Sequence, residues 1–132
     1  MARLGLGDLV RSGGRAVSKY TGMVFWGMSS AGNTVKVQIA NNDTIPAGGK
    51  CAKTAGSETG CWDSFASYTS FSDKWQRFEI KFGDLRQDGW GTQVASFDAS
   101  SARVITFAVS GPSSATAPAV TADFWIDDVY FE

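Results

Sequence analysis

Tryptophan and tyrosine are the residue types of this sequence best suited to binding a ligand. The chain has five Trp, three Tyr, two cysteines and no histidine. Without histidine, Ser-His-Asp and Cys-His catalysis are excluded, and with only two cysteines Cys/His zinc sites are excluded as well. The remaining chemistry is recognition by flat apolar rings next to planar hydrogen-bonding groups, or acid–base catalysis by paired carboxylates.

Four aromatic rings are candidates for ligand contact. Trp62 and Tyr68 belong to the same loop region, and Trp90 lies between glycines in the segment DGWGT. Trp26 faces away from the core if its neighbour Phe25 faces inward, because successive side chains of a strand point to opposite faces. Packing inside the protein is the alternative role of each ring.

Two polar side chains complete the candidate set. Gln38 points away from the apolar face of its strand, and its amide can both donate and accept hydrogen bonds. Asp63 directly follows Trp62 and could accept a hydrogen bond from a ligand hydroxyl. Capping the backbone of its own loop is an equally good interpretation of Asp63.

The elements that must position these residues are strands. Apolar and polar residues alternate repeatedly, and no stretch has helical spacing, which predicts an all-β antiparallel β-sandwich. Trp75 is expected to pack at the end of this sandwich, and Asp127 and Asp128 are expected to point to opposite faces of the last strand. TGMVFWGM (21–28) is an apolar run too short for a helix. The alternating runs are TVKVQIA (34–40), WQRFEIKF (75–82), ARVITFAVS (102–110) and DFWIDDVYF (123–131).

Two connecting segments, residues 41–67 and 83–97, are longer than hairpins require, so we expect the functional residues there. Cys51 and Cys61 enclose a Gly/Ser/Thr-rich part of the first segment. We predict a disulfide between them, with two unpaired thiols as the alternative. A disulfide implies an oxidising compartment, and therefore a secreted, extracellular protein.

Composition and charge restrict the partners. The 132 residues match the size of one domain, and 12 Lys+Arg against 13 Asp+Glu give a net charge of -1. This near-neutral balance lacks the basic excess of nucleic-acid-binding proteins, and no apolar run approaches the roughly 20 residues that span a membrane. We expect one domain over residues 1–132, with 1–19 as a weakly ordered arm or edge strand anchored by Leu9, Val10 and Val17.

Several segments, in their order and spacing, resemble the second part of jelly-roll carbohydrate-binding modules. These modules are galactose-binding-domain-like β-sandwiches of bacterial cell-wall and plant-polysaccharide enzymes, and this chain is broadly similar to module family 11. The resemblance covers about residues 20–132. The segments that carry it are GMVFWG, VKVQIANNDTIPAGGKC, CWDSF, WQRFEIKFGDLRQDGWG and FWIDDVYF.

The resemblance implies a non-catalytic module that targets a tethered glycoside hydrolase to a polysaccharide. Its ligand would be a plant cell-wall β-glucan of cellulose-like, mixed-linkage or xyloglucan type, and binding would need no cofactor. The four candidate rings would stack on the C–H faces of sugar rings, with Gln38 and Asp63 bonding sugar hydroxyls. The alternatives are an adhesive or structural sandwich that binds protein, and a small glycosidase with two carboxylates.

The resemblance also has gaps. Modules of this kind have further strands before the position of Tyr20, so either the N-terminal arm or a second copy of the chain, in a homodimer, would replace them. Their structural calcium takes ligands from these strands and from the last strand. Asp127 or Asp128 would supply only the latter part of such a site.

Overall fold

Two antiparallel sheets account for most of the regular structure. We describe a computed structural model, which covers residues 4–5, 17–54 and 56–132. The strands are β1 (Leu4–Gly5), β2 (Gly22–Ser29), β3 (Thr34–Asn41), β4 (Phe65–Ser70), β5 (Gln76–Lys81), β6 (Ala102–Ala108) and β7 (Phe124–Phe131). Single-turn 3-10 helices occupy Pro46–Gly48, Phe82–Asp84 and Ala99–Ser101. The predicted all-β class is confirmed.

The strands are ordered β1-β7-β2-β5 in the first sheet and β4-β3-β6 in the second. All of the paired strands run antiparallel. The first sheet therefore contains the strands of Trp26 and of the two aspartates, whereas the second contains those of Gln38 and Tyr68. This division separates the predicted site residues into two groups.

The core lies between the two sheets and is built mainly from Phe and aliphatic side chains. The predicted inward face of β3 is confirmed, since Val35, Val37 and Ile39 are all buried. From β2, Phe25 packs against Phe78 and Phe107 with ring centroids 5.3 and 5.2 Å apart. Within the described residues, the aromatic rings that lie close to one another all belong to Phe or Tyr, and none belongs to Trp.

A β-bulge interrupts β7 and overturns one expectation. Val24 pairs with Tyr130 and Trp26 with Asp127, so two residues of β7 lie opposite one residue of β2. Asp128 is one of these two, and it has a φ of 50°. The extra residue breaks the alternation of side chains, and Asp127 and Asp128 consequently line the same pocket. The prediction that they point to opposite faces was wrong.

Part of the N-terminal segment belongs to the described residues. Leu4 and Gly5 pair with Phe131 and Tyr130, which places β1 beside β7. Val17 is fully buried, and its amide donates to the Ala99 carbonyl at 2.7 Å. The other two predicted anchors of the arm, residues 9 and 10, lie outside the described part of the chain.

Among the described residues, none belongs to a helix long and apolar enough to cross a membrane.

Candidate functional site

All of the tryptophans lie at the surface. The five Trp side chains are between 39% and 63% exposed, and Tyr68 is 54% exposed. Tyr20 and Tyr130, by contrast, are buried. Because the core is filled by Phe, these six exposed rings are available for contact with a ligand. They are Trp26, Trp62, Tyr68, Trp75, Trp90 and Trp125.

Trp62 is displayed by a loop held at several points. The predicted disulfide between Cys51 and Cys61 is present, and the Trp62 amide donates to the Thr44 carbonyl at 2.7 Å. Its indole nitrogen donates to Oε2 of Glu58 at 3.3 Å. Trp62 has a φ of 73°, a left-handed conformation that costs a non-glycine residue about 1–2 kcal/mol. The surrounding contacts thus hold an exposed ring in a strained position.

Asp63 organises the neighbouring loop. Its carboxylate accepts hydrogen bonds from the amides of Asp88, Gly89 and Gly91 at 2.9, 2.9 and 3.0 Å, and from the Gln93 side chain at 3.0 Å. Burial alone would raise the pKa of Asp63, but these bonds outweigh burial and lower the pKa. Asp63 is 1% exposed, so it has the loop-capping role, and we leave it out of the ligand-contacting set.

The loop that Asp63 holds carries Trp90, and it packs directly on the loop of Trp62. The Thr92 amide donates to the Gly60 carbonyl at 2.9 Å. A Cβ at Gly91 would lie 2.7 Å from the same carbonyl oxygen, so only glycine allows this close approach. The two long connections predicted to be functional are therefore joined into one surface.

Tyr68 lies on strand β4 and not in the loop region predicted for it, so that prediction was wrong. It is connected to the loop of Trp90 through Asp88. The Tyr68 hydroxyl donates to Oδ1 of Asp88 at 2.9 Å, and Lys36 forms an ion pair with Oδ2. Burial and the hydrogen bond to Asp88 raise the pKa of Tyr68. Partial burial would lower the pKa of Lys36, but Asp88 outweighs it and the pKa is raised. We call Trp62, Tyr68 and Trp90 the loop surface.

Gln38 lies beside the loop surface on the outer face of the second sheet. It pairs with Ala66 of β4 and Thr106 of β6, and it lies two residues from Lys36 on the same strand face. Gln38 is half-buried, as is Lys36. The amide is therefore placed to bond a ligand that extends from Tyr68 across β3.

Trp26 belongs to a different surface. It lies on the outer side of the first sheet, where it lines a shallow pocket of about 310 Å³ with Trp75, Asp127 and Asp128. We call these four residues the sheet pocket. The structure thus joins three of the four predicted rings and separates the fourth from them.

Two members of the sheet pocket were missed as contact residues by sequence reasoning. Trp75 was expected to pack at the end of the sandwich, yet it is 45% exposed. Asp128 was expected on the other face, and the bulge moves it into the pocket. The sequence did contain a sign that Trp75 is exposed. Trp75 lies three positions before the inward-facing Phe78, and side chains an odd number of positions apart in a strand point to opposite faces.

The calcium site expected at Asp127 or Asp128 stays a prediction. Calcium takes six to eight oxygen ligands. Within the described part of the chain no three His, Cys, Asp or Glu residues are grouped closely enough to hold a metal ion. Asp127 and Asp128 provide two carboxylates, which is too few for calcium on their own.

Comparisons with known proteins do not assign this chain to a class of proteins. No protein family, no curated protein and no solved structure matches this chain. The chain is an all-β protein of two packed antiparallel sheets, with a disulfide-bonded loop and exposed aromatic rings on two separate surfaces. The disulfide is compatible with an extracellular location.

Proposed function

We propose that this protein is a secreted, non-catalytic carbohydrate-binding module that binds a plant cell-wall β-glucan at the loop surface. The observation that carries the proposal is the exposure of Trp62 and Trp90 on two loops that contact each other, and of Tyr68 on the adjoining strand β4. The core is built mainly from Phe and aliphatic side chains, and none of these three rings belongs to it. Their exposure costs solubility, which a binding role explains.

Aromatic rings suit a sugar chain because of the shape of both partners. A pyranose ring presents a flat C–H face, and an indole or phenol ring provides a flat apolar surface of matching size. Sugar hydroxyls already bond to water, so each contact gains little, and several rings must act together. Three rings on one surface meet this need.

The polar groups at the loop surface favour a neutral glycan. Lys36 and Asp88 neutralise each other in an ion pair beside Tyr68, so neither of these two charges selects a charged sugar. Gln38 adds an amide that can donate to one hydroxyl and accept from its neighbour. A β-glucan, with neutral rings and paired hydroxyls, fits this arrangement.

A rigid loop surface also suits targeting of an attached enzyme. The disulfide and the carboxylate of Asp63 order the two loops before a ligand arrives, which reduces the entropy lost on binding. Holding a tethered hydrolase near an insoluble polysaccharide raises its local concentration without new chemistry.

The test is a panel of soluble polysaccharides in affinity electrophoresis, followed by calorimetric titration with the best β-glucan oligosaccharide. Trp62→Ala and Trp90→Ala should each weaken binding by about 1–2 kcal/mol, because each removes one stacked ring. The matched control is Trp125→Ala, an equally exposed indole on the first sheet, which should leave the affinity unchanged.

Two results would contradict the proposal. If neither loop-surface variant changes the affinity, the rings are not the binding site. If no polysaccharide of the panel is retained and the purified protein instead binds a protein ligand through the same rings, the adhesive alternative replaces it. Release of reducing sugar during long incubation would show an enzyme.

A further inference from the structure

The sheet pocket combines two exposed indoles with two carboxylates. Trp26 and Trp75 are 39% and 45% exposed, and both line the pocket with Asp127 and Asp128. Since the close ring pairs of the described residues involve only Phe and Tyr, both faces of these indoles are free of other rings. The pocket thus offers aromatic faces to a ligand.

Among the described residues, no basic side chain forms an ion pair with the carboxylates of the pocket. In the described part of the chain, the ion pairs are made by Lys36, Lys50 and Arg77, and none involves Asp127 or Asp128. Arg77 pairs across the strands with Trp26, but its guanidinium is directed to Glu79 and Glu132 at 3.6 Å. Counted over the described part of the chain, the pocket therefore has two carboxylates and no paired cation beside its indoles.

A cation with an apolar body satisfies both features at once. A ligand cation is attracted to the face of an indole by the ring quadrupole, and to a carboxylate by its charge. A bare metal ion would use the carboxylates but not the rings, and a neutral sugar would use the rings but leave the charge uncompensated. An amino sugar has a flat C–H face and an ammonium group on the same ring.

We infer that the sheet pocket is a second glycan-binding site, which takes an amino sugar with a free ammonium group. The sugar ring stacks on Trp26 or Trp75, and its ammonium donates to the carboxylates of Asp127 and Asp128. This site lies on the outer face of the first sheet, away from the loop surface, so it does not depend on β-glucan binding there. A protein with both sites would connect two different polysaccharides.

The experiment compares three oligosaccharides of equal length and the same backbone. A chitosan oligosaccharide carries an ammonium at each ring, its N-acetylated form carries an amide, and a cello-oligosaccharide carries a hydroxyl at the same position. We expect calorimetric titration in the presence of a metal chelator to show chitosan binding at least tenfold tighter than the N-acetylated form. Binding should weaken as salt is raised, because charge contributes.

Two kinds of variant locate the chitosan site. Asp127→Asn and Asp128→Asn keep the shape of both side chains, and asparagine tolerates the positive φ of residue 128. The double variant should lose at least tenfold in chitosan affinity, as should Trp26→Ala. The matched control is Glu79→Gln with Asp84→Asn, which removes two exposed charges outside the pocket and should have little effect.

The proposal fails if the control lowers chitosan affinity as much as the pocket variants do, since binding would then be unspecific charge attraction. It also fails if the three oligosaccharides bind the pocket equally, or if free choline binds the pocket and chitosan does not. Trp62→Ala separates the two sites: it should leave chitosan binding unchanged, while weakening β-glucan binding if the proposed function is correct.

Discussion

At the scale of single residues, neighbours in sequence have opposite roles. Trp62 is 46% exposed and Asp63 is 1% exposed, although they are adjacent. The strained backbone of Trp62 turns the ring outward, while the carboxylate of Asp63 turns inward to collect three backbone amides and one side-chain amide. A buried carboxylate is stable in this position only because these donors replace water.

Replacing Asp63 with asparagine should reveal this role through the dependence of stability on pH. The pKa of Asp63 is lowered in the folded protein, so its carboxylate stabilises the fold above the unfolded pKa of about 3.9. That stabilisation is lost as pH falls through the lower, folded pKa. Asp63→Asn should therefore reduce the free energy of unfolding at pH 7 by roughly 2–4 kcal/mol.

Urea denaturation at several pH values checks the prediction. The difference between the original protein and Asp63→Asn should shrink as the solution is acidified below about pH 4. Asp73→Asn, at an exposed position, is the control and should change stability by no more than about 0.5 kcal/mol. A difference that stays constant with pH would mean that the charge of Asp63 is unimportant.

At the scale of elements, a β-bulge and a close contact at a glycine shape the first sheet. The bulge at Asp128 brings both aspartates to one pocket. In the middle of the same sheet, Gly27 of β2 allows the ring of Phe71 to approach, since a Cβ at residue 27 would lie 2.6 Å from its Cζ atom. Phe71 is itself buried and stacks on Phe78 with centroids 4.9 Å apart.

Adding one methyl group at this contact should be costly. Gly27→Ala should lower the free energy of unfolding by roughly 1–3 kcal/mol, because the buried ring of Phe71 has to move to make room. Gly83→Ala is the matched control, since a Cβ there meets nothing within 4 Å and should be neutral. Thermal unfolding of both variants measures the difference, and equal melting temperatures would rule out the close packing.

At the scale of the whole molecule, the core and the exposed aromatic surfaces are built from different residue types. Its interior is made of Phe, Val, Ile and Met side chains, whereas every Trp lies outside. The loop surface is formed by two loops and β4 of the second sheet, whereas the sheet pocket lies on the first sheet, so we expect each to change without disturbing the other. The disulfide is the covalent link that most directly supports one of them, because Cys61 precedes Trp62.

Removing the disulfide should therefore affect stability and one surface only. Cys51→Ala with Cys61→Ala should cost roughly 2–3 kcal/mol of stability, since the short loop gains freedom in the unfolded chain. Binding at the loop surface should weaken, and chitosan binding at the sheet pocket should not. Reducing agent should mimic the double variant in the original protein and have no effect on the variant, as followed by urea denaturation and calorimetry.

The sequence alone determined the features that depend on near neighbours. Alternation at every second position identified the strands and the buried face of Val35, Val37 and Ile39, because side-chain direction in a strand is set locally. The short spacing of the two cysteines likewise predicted their disulfide. The high count of Trp, with Phe available for the core, pointed to exposed rings.

Only the tertiary structure decided which rings belong together. Trp62 and Trp90 share a surface because Asp63 bonds the amides of a loop about 25 residues away, a contact that no local pattern encodes. Trp26 is excluded from that surface because β2 pairs with β5 and β7 in the other sheet. The position of Asp128 depends on a bulge, and a bulge arises from how two strands fit each other rather than from either strand alone.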